Sequence, residues 1–249
     1  MNLSTHASRV AVVTGAARGI GQAVACGLAA RGAIVAGLDL EVPNETARKV
    51  RALGGKWLGL SCDVSSPEDV QRSCNSVLEQ LGRCDILVNN AGIFPSKKFE
   101  ELSYEEWRKV LTVNLDSQFL MSKALVPSMK ASGWGRVVNF TSGSVMIPAA
   151  EIAAYKASKM GAIGLTRGMA ADLGQYGITV NAVSPSLTRT PGVMSYGAAG
   201  MLEAVAQQQA IKRVSVPEDV VGLVLFLTSE DSHFVTGQTM LADGGLCYM

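Results

Sequence analysis

Histidine is nearly absent: His6 and His233 are the only two in 249 residues, and the five cysteines (Cys26, Cys62, Cys74, Cys84, Cys247) are scattered without a Cys-x-x-Cys pair. Metal centres need such ligands at close spacing, so none is expected. An odd number of scattered thiols also argues against a disulfide framework and suits reduced, buried side chains in a cytoplasmic protein. Charge of one sign is equally scarce, with 22 Lys and Arg against 21 Asp and Glu and no block of like charge. That balance leaves no electrostatic footprint for nucleic acid or an anionic membrane, and points to a small ligand. Long apolar runs are missing as well. Val220 to Leu227 is among the longest and falls far short of the ~20 residues of a membrane helix. Met1 to Arg9 is polar, without the apolar stretch of a secretory signal.

What the chain does have is alternation. Apolar, β-branched runs predict strands at Val10 to Thr14, Ile34 to Asp39, Ile86 to Asn89, Arg136 to Phe140 and Ile178 to Val183, with another strand before Asp63 and a last one around Gln238 to Leu241. Between them, Gly19 to Arg31, Asn44 to Leu53, Pro67 to Leu81, Tyr104 to Ser132, Ala154 to Tyr176 and Pro217 to Leu227 have helical length. Strands apolar on both faces suit a parallel sheet covered by helices on each side. The expected fold is therefore α/β, a single-domain doubly wound parallel sheet of about seven strands joined by right-handed crossovers. The stretch Thr188 to Gln209, rich in Gly, Ala, Met and Gln, looks loosely specified and reads as a substrate lid spanning about 188–212.

The first strand runs into Thr14-Gly15-Ala16-Ala17-Arg18-Gly19-Ile20-Gly21, which opens a helix. Glycines there permit a tight turn and close approach of backbone to a pyrophosphate, which the helix N-terminus attracts. Asp39 ends the second strand, where a carboxylate accepts hydrogen bonds from the adenosine ribose. A 2'-phosphate at that place would cost ~4 kcal/mol at ~4 Å and an effective dielectric near 20, so NAD is expected over NADP. Arg18 could pair with such a phosphate, or lie over the adenine or in solvent. Asp63-Val64 and Asn90-Ala91-Gly92 follow the third and fourth strands, at the sheet end where such folds bind ligands. Taken alone Asp63 reads as a helix cap and Asn89-Asn90 as a turn; their context makes them adenine and ribose neighbours.

Tyr155 and Lys159 stand four apart at the start of a helix and share one face, Ser142 precedes the tyrosine by thirteen positions, and Asn114 lies within the Tyr104 to Ser132 helix. These four can reduce a carbonyl. A tyrosine near pKa ~10 is a poor acid/base at neutral pH, and lowering it by ~3 units takes ~4 kcal/mol of preferential phenolate stabilisation. Lys159 and an oxidised nicotinamide supply charge of the right sign. Ser142 would stabilise the substrate oxygen, and Asn114 could hold a water relaying protons through Lys159.

With these residues the chain resembles the short-chain dehydrogenase/reductase family from end to end. Thr14 to Gly21 fits TGxxxGxG, Asn89-Asn90-Ala91-Gly92 fits NNAG, and Asn114, Ser142, Tyr155 and Lys159 fit its catalytic tetrad. The resemblance implies a Rossmann-type fold, a nicotinamide cofactor bordered also by Tyr155, Lys159 and Pro185, and a homotetramer built on the long fourth and fifth helices. It places the Thr188 amide and Thr190 hydroxyl on the nicotinamide carboxamide. Where the family has Pro-Gly this chain has Pro185-Ser186, which puts that loop's geometry in question. Gly82 to Val88 and Pro185-Ser186-Leu187 are similar to the bacterial 1-phenylethanol dehydrogenase branch, which acts on aryl-alkyl carbinols.

Between Pro191 and Ile211 the lid carries one charged residue, Glu203, beside Met194, Tyr196, Met201, Leu202 and Val205, so a neutral, bulky or aromatic ketone or secondary alcohol is expected. Arg189, Lys212 and Arg213 flank it and could reach in. Phe94, Ser144 to Ile147 and Met194 are expected to line the rest. The other readings are a 3-oxoacyl-[acyl-carrier-protein] reductase, against which Asp39 argues, and an NAD-binding protein without turnover, against which the tetrad argues.

Overall fold

A computed structural model describes residues 5–197 and 199–248; Met1–Ser4, part of the polar N-terminal segment, and Ala198 in the lid stretch lie outside the described residues. The strands form where apolar runs allow both faces to be covered: β1 (Val10–Thr14), β2 (Ile34–Asp39), β3 (Lys56–Ser61), β4 (Ile86–Asn89), β5 (Gly135–Phe140), β6 (Ile178–Pro185) and β7 (Thr239–Ala242). All pair in parallel in the order β3-β2-β1-β4-β5-β6-β7, a doubly wound sheet as expected. Because chain order reverses between β1 and β4, their C-terminal ends open a crevice there.

The helices are α1 (Gly19–Ala30), α2 (Asn44–Ala52), α3 (Pro67–Leu81), α4 (Tyr104–Leu111), α5 (Ser117–Ser132), α6 (Ala153–Leu173), α7 (Pro191–Ser195), α8 (Ala199–Gln208) and α9 (Glu218–Leu227). The starts of α3 and α4 are written in capping chemistry. Ser66 accepts from the Asp69 amide at 3.2 Å ahead of Pro67, and Ser103 and Glu106 form a reciprocal capping box for α4. Side chains alternating along the strands feed two cores. Val12, Leu87 and Val137 pack under Met121, Leu125 and Met129 of α5, while Ala11, Val13, Ile86 and Val138 face Val24 and Leu28 of α1 and Val220 and Val224 of α9.

Two expectations change. The single helix from Tyr104 to Ser132 is instead α4 and α5 joined by a π-helical turn, Thr112–Asp116. Such turns insert one residue into the helical ladder, which no apolar spacing announces. The loosely specified lid is also more ordered than its composition suggests: Thr190 accepts from the Val193 amide at 3.1 Å and starts α7 ahead of Pro191, and α8 comes next.

At the opposite rim, under the N-terminal strand ends, the Arg9 and Arg136 guanidiniums lie 3.6 and 4.3 Å from the Trp134 ring centroid. The fully buried Asp85 accepts from the Val10 amide at 2.8 Å and pairs with Arg83, while Arg9 reaches Glu230 at 2.9 Å. Nearby His6 is buried between Thr5 and Thr228, 2.9 Å from each, and burial lowers its pKa from the usual 6.5 to about 4. The unfolded ring takes up a proton below 6.5 and the folded ring resists until about 4, so protons favour the unfolded chain. Stability should therefore fall as pH drops through that window, by about 3 kcal/mol at most. Thermal melts across the window check this: a His6→Gln variant should lose that slope, and an equal slope in both proteins would assign the effect elsewhere.

Candidate active site

The crevice between β1 and β4 is shaped by backbone. Gly15 has φ +65° and a Cβ there would lie 2.8 Å from Asn90 Nδ2, while a Cβ on Gly21 would come 2.1 Å from the Gly15 carbonyl oxygen. Only glycine fits either place. At the N-terminus of α1, Arg18 is extended and exposed and makes no side-chain cap, and no acidic residue occupies the first turn. The helix amides thus face the crevice unclaimed by side chains, as binding of a pyrophosphate requires. Ile20 tucks against the α1 core, and a Cβ on Gly19 would lie 3.1 Å from Thr190, so the segment leading into α7 stands against the loop.

Several expected cofactor contacts also hold the loop itself. The Ala17 amide donates to Asp39 Oδ2 and the Leu40 amide to Asp39 Oδ1, each at 2.8 Å. Asn90 Nδ2 donates to the Thr14 and Gly15 carbonyls at 2.9 and 3.2 Å, and Thr14 Oγ1 accepts from the Asn90 and Ala91 amides at 3.0 and 3.1 Å. Asp63 is not the cap of α3: its Oδ1 accepts from the Ser65 amide and hydroxyl at 2.9 and 2.6 Å, while the adjoining Val64 is buried. Ser186 keeps a φ open to any L residue, so the departure from Pro-Gly leaves the backbone after Pro185 unstrained. Thr188 is buried, its hydroxyl 3.0 Å from the Ser186 carbonyl oxygen and 3.1 Å from Ser215 Oγ.

Across the same rim the structure gathers Asn114, Ser142, Tyr155 and Lys159. The fully buried Asn114 sits in the π-turn; its Oδ1 accepts from the Ile93 amide at 2.8 Å, and its Nδ2 donates to the Ile93 carbonyl at 3.0 Å and Ser158 Oγ at 3.2 Å. Its side chain is thereby occupied. A Cβ on Gly92 would lie 3.1 Å from Asn114 Oδ1 and 3.5 Å from Lys159 Nζ, which places those two groups around one point. Lys159 Nζ donates to the Phe140 carbonyl at 3.0 Å and stands 5.7 Å from the Tyr155 ring centroid; burial lowers its pKa to about 8. Burial raises the Tyr155 pKa, against a smaller lowering by the neighbouring Ser142 hydroxyl. In the protein alone, low polarity thus outweighs the Ser142 contribution, and the phenol lies above its ordinary value. Ser142 Oγ is 3.0 Å from Ser144 Oγ and accepts from the Ser144 amide at 3.2 Å.

Phe94 meets Tyr155 edge to face at 4.7 Å and Tyr196, at the end of α7, at 6.4 Å. Met194 is half exposed on α7, and Tyr196, two residues on, is the lid side chain that reaches Phe94. Sequence reasoning counts Tyr196 among the lid's apolar residues without assigning it to the site. The available signal is its being the lid's one aromatic side chain.

A profile of the family described as enoyl-(acyl carrier protein) reductase matches residues 15–247. A trans-4-hydroxycyclohexanecarboxylate dehydrogenase of Sinomonas cyclohexanicum is 37% identical over 247 residues, 96% of this chain and 93% of that one. A D-threitol dehydrogenase of Mycolicibacterium smegmatis is 35% identical over 241 residues, 95% of this chain and 92% of that one. The crystal structure of levodione reductase superposes with a TM-score of 0.92 at 30% identity, over 96% of this chain and 97% of that one. The chain belongs to the short-chain dehydrogenase/reductase family. Members of that family typically use nicotinamide cofactors.

Proposed function

We propose that the protein is an NAD-dependent oxidoreductase interconverting a secondary alcohol and a ketone, with Tyr155 as acid/base. The observation that carries this reading is the Tyr155 ring packed edge to face on Phe94 at 4.7 Å, with the buried Lys159 Nζ 5.7 Å from the Tyr155 ring centroid. The fit to a dinucleotide rests on the glycine cradle and the open N-terminus of α1. Gly15, Arg18, Gly19, Ile20 and Gly21 would hold its pyrophosphate, Asp39, Asp63 and Val64 the adenosine, Asn90, Ala91 and Gly92 the ribose, and Pro185, Thr188 and Thr190 the nicotinamide. The bound nicotinamide would supply hydride exchange. The chain's own part is proton handling. Neutral at physiological pH by its ordinary pKa and pushed further up by burial, the Tyr155 phenol is ready to donate to a carbonyl oxygen that the Ser142 hydroxyl also binds. Lys159, charged below about 8, supports the phenolate left behind. With the Asn114 side chain tied to Ile93 and Ser158, a relay water there would rest on backbone freed by the π-turn.

The rings of Phe94 and Tyr196 favour a neutral, cyclic or aryl substrate, beside Ser144 and Met194. The relative named for trans-4-hydroxycyclohexanecarboxylate is consistent with a ring-bearing substrate, and the one named for threitol marks how far the family ranges. Five free thiols suit a reducing cytoplasm. The apolar face of Leu115, Phe119, Leu120 and Leu165, with exposed Phe119 and Met160, suits burial in a homotetramer.

The test is NADH and NADPH oxidation by purified protein against acetophenone-type ketones and acetoacetyl thioesters, with light scattering on the same sample. Ketone reduction with NADH is the expected result. Thioester reduction with NADPH would move the protein to acyl-chain chemistry, and a one-chain mass would remove the tetramer.

A further inference from the structure

Ser186 gives a buried polar side chain a partner. Gln209, 2% exposed just beyond α8, accepts from Ser186 Oγ at 2.7 Å and donates from Nε2 to the Ile211 and Arg213 carbonyls at 3.0 and 2.9 Å. Two carbonyls on one side and a hydroxyl on the other fix the orientation of its amide. Ser186 is itself anchored: its amide donates to the Ala242 carbonyl at 3.4 Å, and its own carbonyl accepts from Thr188 Oγ1 at 3.0 Å. The Arg189 amide donates to the Ser215 carbonyl at 2.8 Å, so both stems of the lid run side by side. Past Gln209 the trailing stem is sewn to the C-terminal segment, the Ala210 amide to the Gly245 carbonyl at 3.2 Å and the Ile211 amide to the Gly244 carbonyl at 2.8 Å.

We infer that Gln209 is a positioning residue: through Ser186 it latches the trailing stem of the lid to the segment carrying Thr188 and Thr190, and confines lid motion to the residues between the stems. This rests on the proposed function, in which Thr188 and Thr190 border a nicotinamide. The latch holds the cofactor-side segment in register with the trailing stem.

Ser186→Ala removes the hydroxyl donor and leaves Gln209 Oε1 buried without it. KM and Kd for NADH should rise about three- to tenfold, the scale of one neutral hydrogen bond, with a smaller change in kcat. Limited trypsin cleavage at Arg189, Lys212 and Arg213 in the stems should quicken. Ser186→Thr, which keeps a hydroxyl, should restore the wild-type values, and Ser186→Ala combined with Gln209→Leu should be no worse than Gln209→Leu alone. Should Gln209→Leu not fold, Ser186→Ala still decides. Unchanged KM and cleavage in Ser186→Ala, or a lower melting temperature with both unchanged, overturns the latch. If the wild type binds neither NADH nor NADPH the functional reading fails, while the cleavage rates still decide the latch.

Discussion

Replacing Tyr155 with Phe is expected to lower kcat for ketone reduction by a factor between about 10² and 10⁴, and to leave the dissociation constant for NADH unchanged. The phenol oxygen is the proton donor, and the ring alone makes the contact with Phe94, so the variant loses the chemistry and keeps the wall. Wild-type pH dependence gives the companion readout. Reduction needs a neutral phenol and a charged Lys159; the first is secured by burial, and the second is lost as pH rises through about 8. Reductive kcat/KM should hold steady below that point and fall above it. Appreciable turnover by Tyr155→Phe would displace the tyrosine from its role.

The second large effect is expected at Asp39. A carboxylate facing a 2'-phosphate at ~4 Å costs ~4 kcal/mol, up to about a thousandfold in preference. The structure shows which substitution isolates that charge. Asp39 Oδ2 also holds the Ala17 amide of the glycine loop, so Asp39→Ala removes a loop contact together with the charge. Asp39→Asn keeps an acceptor there. It should reduce the ratio of kcat/KM for NADH over NADPH by between about ten- and a thousandfold with little loss in NADH binding, whereas Asp39→Ala should weaken NADH as well. An unchanged ratio in Asp39→Asn would leave cofactor choice to other residues, Arg18 first among them.

Most of the sheet is legible because buried parallel strands must be apolar throughout, and β1, β2 and β4 fall where Val, Ile and Leu cluster. The third strand is announced only by the Asp63-Val64 turn at its far end. β3, Lys-Trp-Leu-Gly-Leu-Ser, is one of the two edge strands, exposed at both ends and half-buried between, so its pattern is diluted. The Tyr-x-x-x-Lys spacing and the glycine loop can be read because their chemistry is local in sequence. Gln209 cannot, since its partner Ser186, 23 positions earlier, becomes a neighbour only through the fold. The same holds for the Asn114 side chain, whose bonds to Ile93 depend on a π-turn that residue spacing does not encode.

The guanidinium and indole stack of Arg9, Trp134 and Arg136 lies at the rim away from Tyr155. Damage there thins the population of folded molecules and leaves each survivor as fast as before. Warming or ageing a preparation should therefore reduce its content of titratable sites in step with its total rate, and the rate per titrated site should stay constant.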